Sequence, residues 1–184
     1  MKKVTRSEVV AFKIYETGRD AFRARIMKIK DERRVQIKPY LTFLFENHDT
    51  MLYQIQEMVR TERMEGDKEI NHEIETYNEL IGERGELGCT LMIEIENADE
   101  RAVKLAQWLD LLPHLYLLTD KGTKVAPSFD DRQIGDTRIS SVHYLKFKLG
   151  DQVPVRIGCS HPGLVSEVAL SPIQAAALCK DLVS

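Results

Sequence analysis

Three residues in the last third of the chain have side chains that can bind a metal or attack a substrate. Cys159 and His161 are two positions apart, so a strand would place the thiol and the imidazole on one side, and a predicted turn at 149–153 places His143 opposite Cys159. Imidazole and thiolate are ligands of zinc and iron, and a cysteine beside a histidine can become an activated nucleophile. The alternative is a core edge in which the thiol packs as a small apolar group and each histidine binds one backbone group. We favour that alternative, because no fourth ligand is evident.

A second polar group joins a predicted strand to a predicted helix, and its sequence is Glu46-Asn47-His48-Asp49-Thr50. We interpret Asn47 or Asp49 as the N-cap of the helix. Junctions of this kind also collect catalytic and anion-binding groups, because backbone N–H groups point outward there. Capping and solvation of the loop are the simpler interpretation.

Two acidic helices follow, at about 49–64 and 67–81, and each holds a candidate group. Glu69 and His72 match the E-x-x-H element of di-iron bundles, but such sites need two copies and the chain has one. His72 lies about 200° around the helix from the apolar Ile70, so we expect it to face solvent. In the preceding helix, Glu57 is also expected to point outward.

The elements that must position these groups predict a single α+β domain over residues 1–184. It has an antiparallel sheet with helices packed on one face, a basic helical arm at 1–34, an acidic helical pair at 46–81 and a β-meander at 139–170. The meander has three strands: pairing Leu149 with Val153 sets Leu145 opposite Ile157 and leaves an apolar inner face. No internal repeat is visible.

The charge of the chain is unevenly distributed. Its 184 residues include 26 basic and 29 acidic ones, but residues 1–38 have 12 basic and 5 acidic (net +7) and residues 39–100 have 4 basic and 16 acidic (net −12). We predict that the basic arm docks on the acidic segment. A pI of about 6.0 disfavours a nucleic-acid binder. No apolar run approaches a membrane span, and three cysteines without C-x-x-C spacing favour free thiols, so we expect a cytoplasmic protein.

Several stretches resemble a bacterial family catalogued as domain of unknown function 3501. They are Leu44–Thr50, Gln54–Met58, His72–Ile81, Gly85–Leu87, Val142–Leu145 and His161–Pro162. Two departures are Gly82, where the family would have a proline, and His48, where it would have an arginine. If the family motif marks a site, its positions here are Glu46, Asn47, Asp49, Gln56, Glu57, His72, Glu73, Tyr77 and Asn78.

The resemblance implies no established activity. It does imply a redox or peroxide-stress setting, because members are often encoded beside a rubrerythrin-like protein and an iron–sulfur oxidoreductase. The first hypothesis is therefore an accessory protein that binds such a partner through the acidic helical pair and the Glu46–Thr50 junction. The alternative is a metal-dependent or thiol-dependent enzyme that uses His143, Cys159 and His161, with zinc or iron as the metal. The oligomeric state, substrate and reaction stay open.

Overall fold

The computed structural model describes residues Met1–Ser184 as five α-helices and eight β-strands, which confirms the α+β class. The helices are α1 (Phe12–Asp31), α2 (His48–Thr61), α3 (Asp67–Asn78), α4 (Ala98–Gln107) and α5 (Pro172–Val183). The strands are β1 (Arg34–Ile37), β2 (Leu41–Glu46), β3 (Glu86–Ile93), β4 (Leu115–Thr119), β5 (Lys124–Val125), β6 (Val142–Lys148), β7 (Pro154–Cys159) and β8 (Ser166–Ala169). Short 3-10 turns lie at Arg6–Glu8, Leu112–His114 and Asp131–Gln133.

The strands form two antiparallel sheets of four strands each, in the orders β1-β2-β3-β6 and β5-β4-β7-β8. Alternate residues of β3 are buried in the core, namely Leu87, Cys89, Leu91 and Ile93. In contrast, β2 is buried on both faces. One face of β2 contributes Phe43 and Phe45 to the main core, so its other face must be covered by a different layer.

The predicted ladder between β6 and β7 is wrong. β6 pairs with β3, which places His143 opposite Leu91, while β7 pairs with β4 and β8. The predicted return of the chain from β7 to β8 is confirmed, with Cys159 opposite Ser166. Alternation had identified the inner faces correctly, since Leu145 of β6 and Ile157 of β7 share one core. That core lies between two sheets. The residues of β6 and β7 that were predicted to pair in one ladder therefore belong to different sheets.

Two apolar clusters hold the molecule together. The larger one joins both sheets to α4 and α5, and it includes the Phe45 and Phe147 rings, whose centroids are 6.2 Å apart. Each fully buried side chain of this size contributes about 1.5–3 kcal/mol. The smaller cluster lies among α2, α3 and the first eleven residues, where Val4 and Val9 are buried. The N-terminal residues therefore form part of a core.

The basic arm docks on the acidic segment, as its charge predicts. Five ion pairs join a cation of the arm to a carboxylate of the acidic segment: Lys3–Glu83 (3.1 Å), Arg6–Asp67 (2.8 Å), Lys13–Glu65 (3.9 Å), Arg19–Glu57 (2.8 Å) and Arg25–Asp49 (3.2 Å). Most of these pairs are exposed, and such pairs contribute about 0–1 kcal/mol each. They therefore orient the arm more than they stabilise it.

The chain after α3 crosses directly over β3. A Cβ atom at Gly88 would lie 1.8 Å from the backbone oxygen of Leu80, and one at Gly82 would lie 2.1 Å from the oxygen of Glu86. No side chain fits at either position, because the obstruction is backbone. Gly82, which departs from the family pattern, is thus required by this crossing.

None of the helices combines the length and apolar character needed to span a bilayer.

Candidate functional site

The junction between β2 and α2 is built by reciprocal capping. Asn47 is the N-cap of α2: its Oδ1 accepts from the Thr50 backbone N–H at 3.0 Å, and Thr50 Oγ1 accepts from the Asn47 N–H at 2.9 Å. Both residues are buried. Asp49 lies in the first helical turn, where a carboxylate is favourable, and pairs with Arg25. Capping therefore accounts for Asn47, Asp49 and Thr50.

Glu46, the first residue of this junction, is a buried carboxyl group. Its Oε1 accepts from Thr90 Oγ1 at 2.8 Å, while Oε2 is buried without a hydrogen-bond partner. Burial raises the pKa of Glu46 above its ordinary value, and hydrogen bonds from Thr50 and Thr90 oppose that rise. Burial likewise lowers the pKa of the nearby Lys30. No local sequence pattern indicates this burial.

Two amides from the family motif bind the N-terminal residues. Gln56 of α2 is buried and makes two hydrogen bonds to the backbone of Val10, and Asn78 of α3 makes two to the backbone of Val4. Each amide donates to the carbonyl and accepts from the N–H of one residue, as a neighbouring strand would. Gln56 and Asn78 are therefore attachment points for the first eleven residues. Sequence reasoning missed this role.

The helical phase of α2 predicts that Glu57 points outward, and this prediction is wrong. The Arg19 guanidinium donates to both of its oxygens at 2.8 and 2.9 Å, and the Tyr15 hydroxyl donates to Oε1 at 2.7 Å. The hydrogen bonds from Arg19, with Tyr15 contributing, lower the pKa of Glu57 to about 2. The prediction failed because α1 packs on this side of α2, and the apolar stripe of α2 alone does not reveal a polar helix contact.

The three α3 residues His72, Glu73 and Tyr77 lie apart from the Glu46 junction. His72 is exposed, as predicted, while Glu73 and Tyr77 are half-buried. Burial raises the pKa of Tyr77 above its ordinary value. The nine motif residues thus occupy several separate environments instead of converging on one cavity.

The predicted cluster of His143, Cys159 and His161 is not assembled. His143 lies on β6 in one sheet, where its Nε2 donates to the Ser140 carbonyl at 2.8 Å and its Nδ1 is buried without a partner. Cys159 lies on β7 in the other sheet. Both ring nitrogens of His161 are occupied, since Nδ1 accepts from the Gly163 N–H and Nε2 donates to Asp110, each at 3.1 Å. No group of three or more His, Cys, Asp or Glu side chains is arranged to hold a metal ion.

The environments of the thiols favour the protonated form. Burial raises the pKa of Cys89, Cys159 and Cys179 alike. An activated nucleophile needs the opposite shift, produced by a base or a positive charge. The imidazole nearest to Cys159 in sequence is engaged by Asp110. Sequence reasoning missed Asp110 as the partner of His161. Asp110 also pairs with His114, four residues later, and the His114 and His161 rings pack edge to face with their centroids 5.3 Å apart.

A surface of unpaired carboxylates covers the exposed side of α3 and the C-terminal ends of α2 and α3, and we call it the acidic face. Its members take part in none of the ion pairs that dock the arm, and they are Glu62, Glu69, Glu73, Glu75 and Glu79. The C-terminal half of the acidic face borders an open groove of about 780 Å³. Leu80, Tyr144 and Phe129 contribute apolar surface to this groove. The arrangement suits contact with a cationic, partly apolar group.

The two sheets, the helical layer and the acidic face define an α+β protein with an exposed acidic surface. The chain belongs to the family of proteins of unknown function DUF3501, which matches residues 3–182. It is similar to a protein of unknown function from Burkholderia pseudomallei K96243, known from a crystal structure at 1.90 Å resolution. The identity is 30%, the alignment covers 98% of this chain and 100% of the other, and the TM-score is 0.90. No functionally curated protein matches the chain.

Proposed function

We propose that this protein is a cytoplasmic, non-enzymatic accessory protein that binds a redox partner through the acidic face of α3. The partner would be a rubrerythrin-like or an iron–sulfur protein, in a setting of peroxide stress. The observation that supports this proposal is the set of carboxylates that the basic arm leaves unpaired.

The ion pairs of the arm separate the carboxylates that have an internal partner from those that are free to bind another protein. Glu57, Glu65, Asp67 and Glu83 are paired with arm residues. Glu69 and Glu75 on α3 and Glu79 at its C-cap are exposed and take part in no ion pair. A predominantly negative surface steers an oppositely charged partner and sets its orientation, while contributing less to affinity than to the association rate. A basic patch on the partner is therefore the expected complement.

The choice of redox partners rests on the genomic setting that the family resemblance implies, not on the geometry of the acidic face. The burial of Cys89 and Cys159 and the placement of His143 and Cys159 in different sheets favour binding over catalysis by this chain. The alternative of a metal-dependent or thiol-dependent enzyme finds no comparable support.

The experiment is calorimetric titration of the protein with a rubrerythrin-like and an iron–sulfur protein of the same organism, at low and high salt. A triple variant, Glu69→Gln, Glu75→Gln and Glu79→Gln, should weaken binding by about tenfold, since each exposed charge contributes up to about 1 kcal/mol. The matched control is Asp20→Asn, Glu96→Gln and Asp99→Asn, which removes three exposed carboxylates elsewhere. Absence of binding to both partners, or an equal loss in the control, would refute the proposal.

A further inference from the structure

The groove beside the acidic face has a strand edge as its floor. β6 is the outermost strand of its sheet, and the peptide groups of Tyr144 and Lys146 point away from β3. Exposed edges of this kind accept additional strands unless they are covered. Here they are covered by residues 126–138, which we call the edge strap.

The edge strap covers β6 in two different ways. Ser128 makes a true antiparallel bridge with Lys146, with N–O distances of 2.8 and 2.9 Å. At Tyr144 the strap supplies a side chain instead of backbone: Gln133 Oε1 accepts from the Tyr144 N–H at 2.7 Å, and Gln133 Nε2 donates to its carbonyl at 3.1 Å. One primary amide thus stands in for the peptide groups of a missing strand.

We propose that the β6 edge is a strand-addition site for an extended segment of the partner, and that the edge strap occupies it in the free protein. This inference rests on the proposed function and specifies how the partner is bound. Strand addition is a common mode of peptide recognition in which main-chain hydrogen bonds give affinity and alternate side chains give specificity.

The surroundings of the edge define the chemistry of the added segment. Residues on one face would lie beside Tyr144 and Lys146, in the groove bordered by the unpaired Glu75 and Glu79. Residues on the other face would replace Phe129 and Ile134 of the strap, which pack against the main core. The segment should therefore alternate basic and apolar residues.

The edge strap is held on β6 by few interactions, so a partner can displace it. Pro127 is its only buried residue, and its pairing with the edge is limited to five hydrogen bonds made by Ser128 and Gln133. Arg132, one of the two arginines of the strap, donates from Nε to Asp130 within the strap at 2.8 Å, and the groove-lining Lys3 and Lys146 pair with Glu83 and Glu86. Glu75 and Glu79 consequently remain available to a partner.

The probe is a fluorescent octapeptide of alternating valine and arginine, and its binding is measured by anisotropy. Two control peptides test the mode: one has glutamate in place of arginine, and one keeps the charges but has alternate backbone nitrogens methylated, so that it cannot pair with a strand. We expect binding of the first peptide only. Gln133→Gly, which frees the Tyr144 peptide group, should tighten binding by about tenfold.

A second variant locks the strap. Ser128→Cys with Lys146→Cys, in a Cys179→Ser background, places a disulfide across an existing bridge pair. The oxidised protein should lose peptide binding and regain it on reduction, so the same chain serves as its own folding control.

Three results would overturn strand addition: equal binding of the methylated peptide, equal binding by the oxidised and reduced lock, or no binding of any peptide to Gln133→Gly. Self-association of Gln133→Gly without peptide would also overturn it and would make the edge a contact between two copies. If the lock has no effect while the acidic-face variant still loses its protein partner, only this inference fails. If the lock abolishes peptide binding but no redox protein binds, the proposed partners fail instead.

Discussion

The side-chain amide of Gln56 binds both peptide groups of Val10: Oε1 accepts from the backbone N–H at 3.0 Å and Nε2 donates to the carbonyl at 2.9 Å. Asn78 and Val4 repeat the arrangement at 2.8 and 2.9 Å. Two helices are thereby joined to the N-terminal residues through groups that lie far from them in sequence. The family motif residues Gln56 and Asn78 have a structural role that requires an amide.

The first prediction concerns this attachment. Gln56→Met keeps the size of a buried side chain but removes two hydrogen bonds, so the free energy of unfolding should fall by about 1–3 kcal/mol. Urea denaturation measures the change. Gln107→Met, at an exposed helical position without such bonds, is the control and should change little. Equal stability of Gln56→Met and the parent protein would show that the amide pair contributes nothing.

The second prediction concerns the pH dependence of the Glu57 ion pair. The hydrogen bonds from Arg19 lower the pKa of Glu57 to about 2, so its ionised form stabilises the folded protein. This contribution is present above the unfolded pKa of about 4.3 and is lost as the pH falls toward about 2. Glu57→Gln should flatten the dependence of the unfolding free energy on pH in this window. Glu62→Gln, at an exposed residue at the end of the same helix that forms no ion pair, is the control variant.

The third prediction has the opposite sign. Burial raises the pKa of Glu46, so its ionisation opposes folding, and stability is lost as the pH rises through the folded pKa. Glu46→Gln keeps an acceptor for Thr90 and removes the charge, so it should be more stable than the parent at neutral pH, with the difference vanishing in acid. Glu94→Gln is matched, since Glu94 also accepts from a threonine hydroxyl but is exposed. A loss of stability in Glu46→Gln at neutral pH would contradict a raised pKa.

The fourth prediction compares two glycines. Gly88→Ala would place a methyl group 1.8 Å from the Leu80 oxygen, and because both partners are backbone the cost should be about 3 kcal/mol. Gly18 lies in α1, and a methyl group added there would have no atom of another element within 4 Å, so Gly18→Ala should raise stability by about 0.5–1 kcal/mol. Thermal unfolding of the two variants gives both signs. If Gly88→Ala does not change the stability, the backbone at Leu80 must move to make room for the methyl group.

Local patterns predicted much of the fold. The capping of α2 by Asn47 follows from neighbours within a few residues, and it is present. Alternation also indicated the inner faces of β6 and β7. It could not identify their partners, because β6 pairs with a strand far earlier in the sequence, and alternation describes a face, not a neighbour.

The candidate site was harder to predict for the same reason. Arg33 and Asp181 form a two-point ion pair at 2.7 and 3.1 Å, with both side chains 6% exposed, across 148 positions of sequence. Nothing near either residue indicates the other. The burial of Glu46 and the contact of Glu57 with α1 depend likewise on distant packing. The distribution of charge did predict a contact between distant residues, the docking of the basic arm on the acidic segment. That prediction depends on net charge and not on which residues pair.

The amides of Asn78 and Gln56 recognise peptide groups, so the side chains of Val4 and Val10 are not what they select. The spacing between the two attachment points is selected instead. A change of residue at an exposed position such as Thr5 or Ser7 leaves both attachments in place, whereas a single insertion or deletion between them shifts one out of reach. Variation within this segment should therefore be a matter of substitution at constant length.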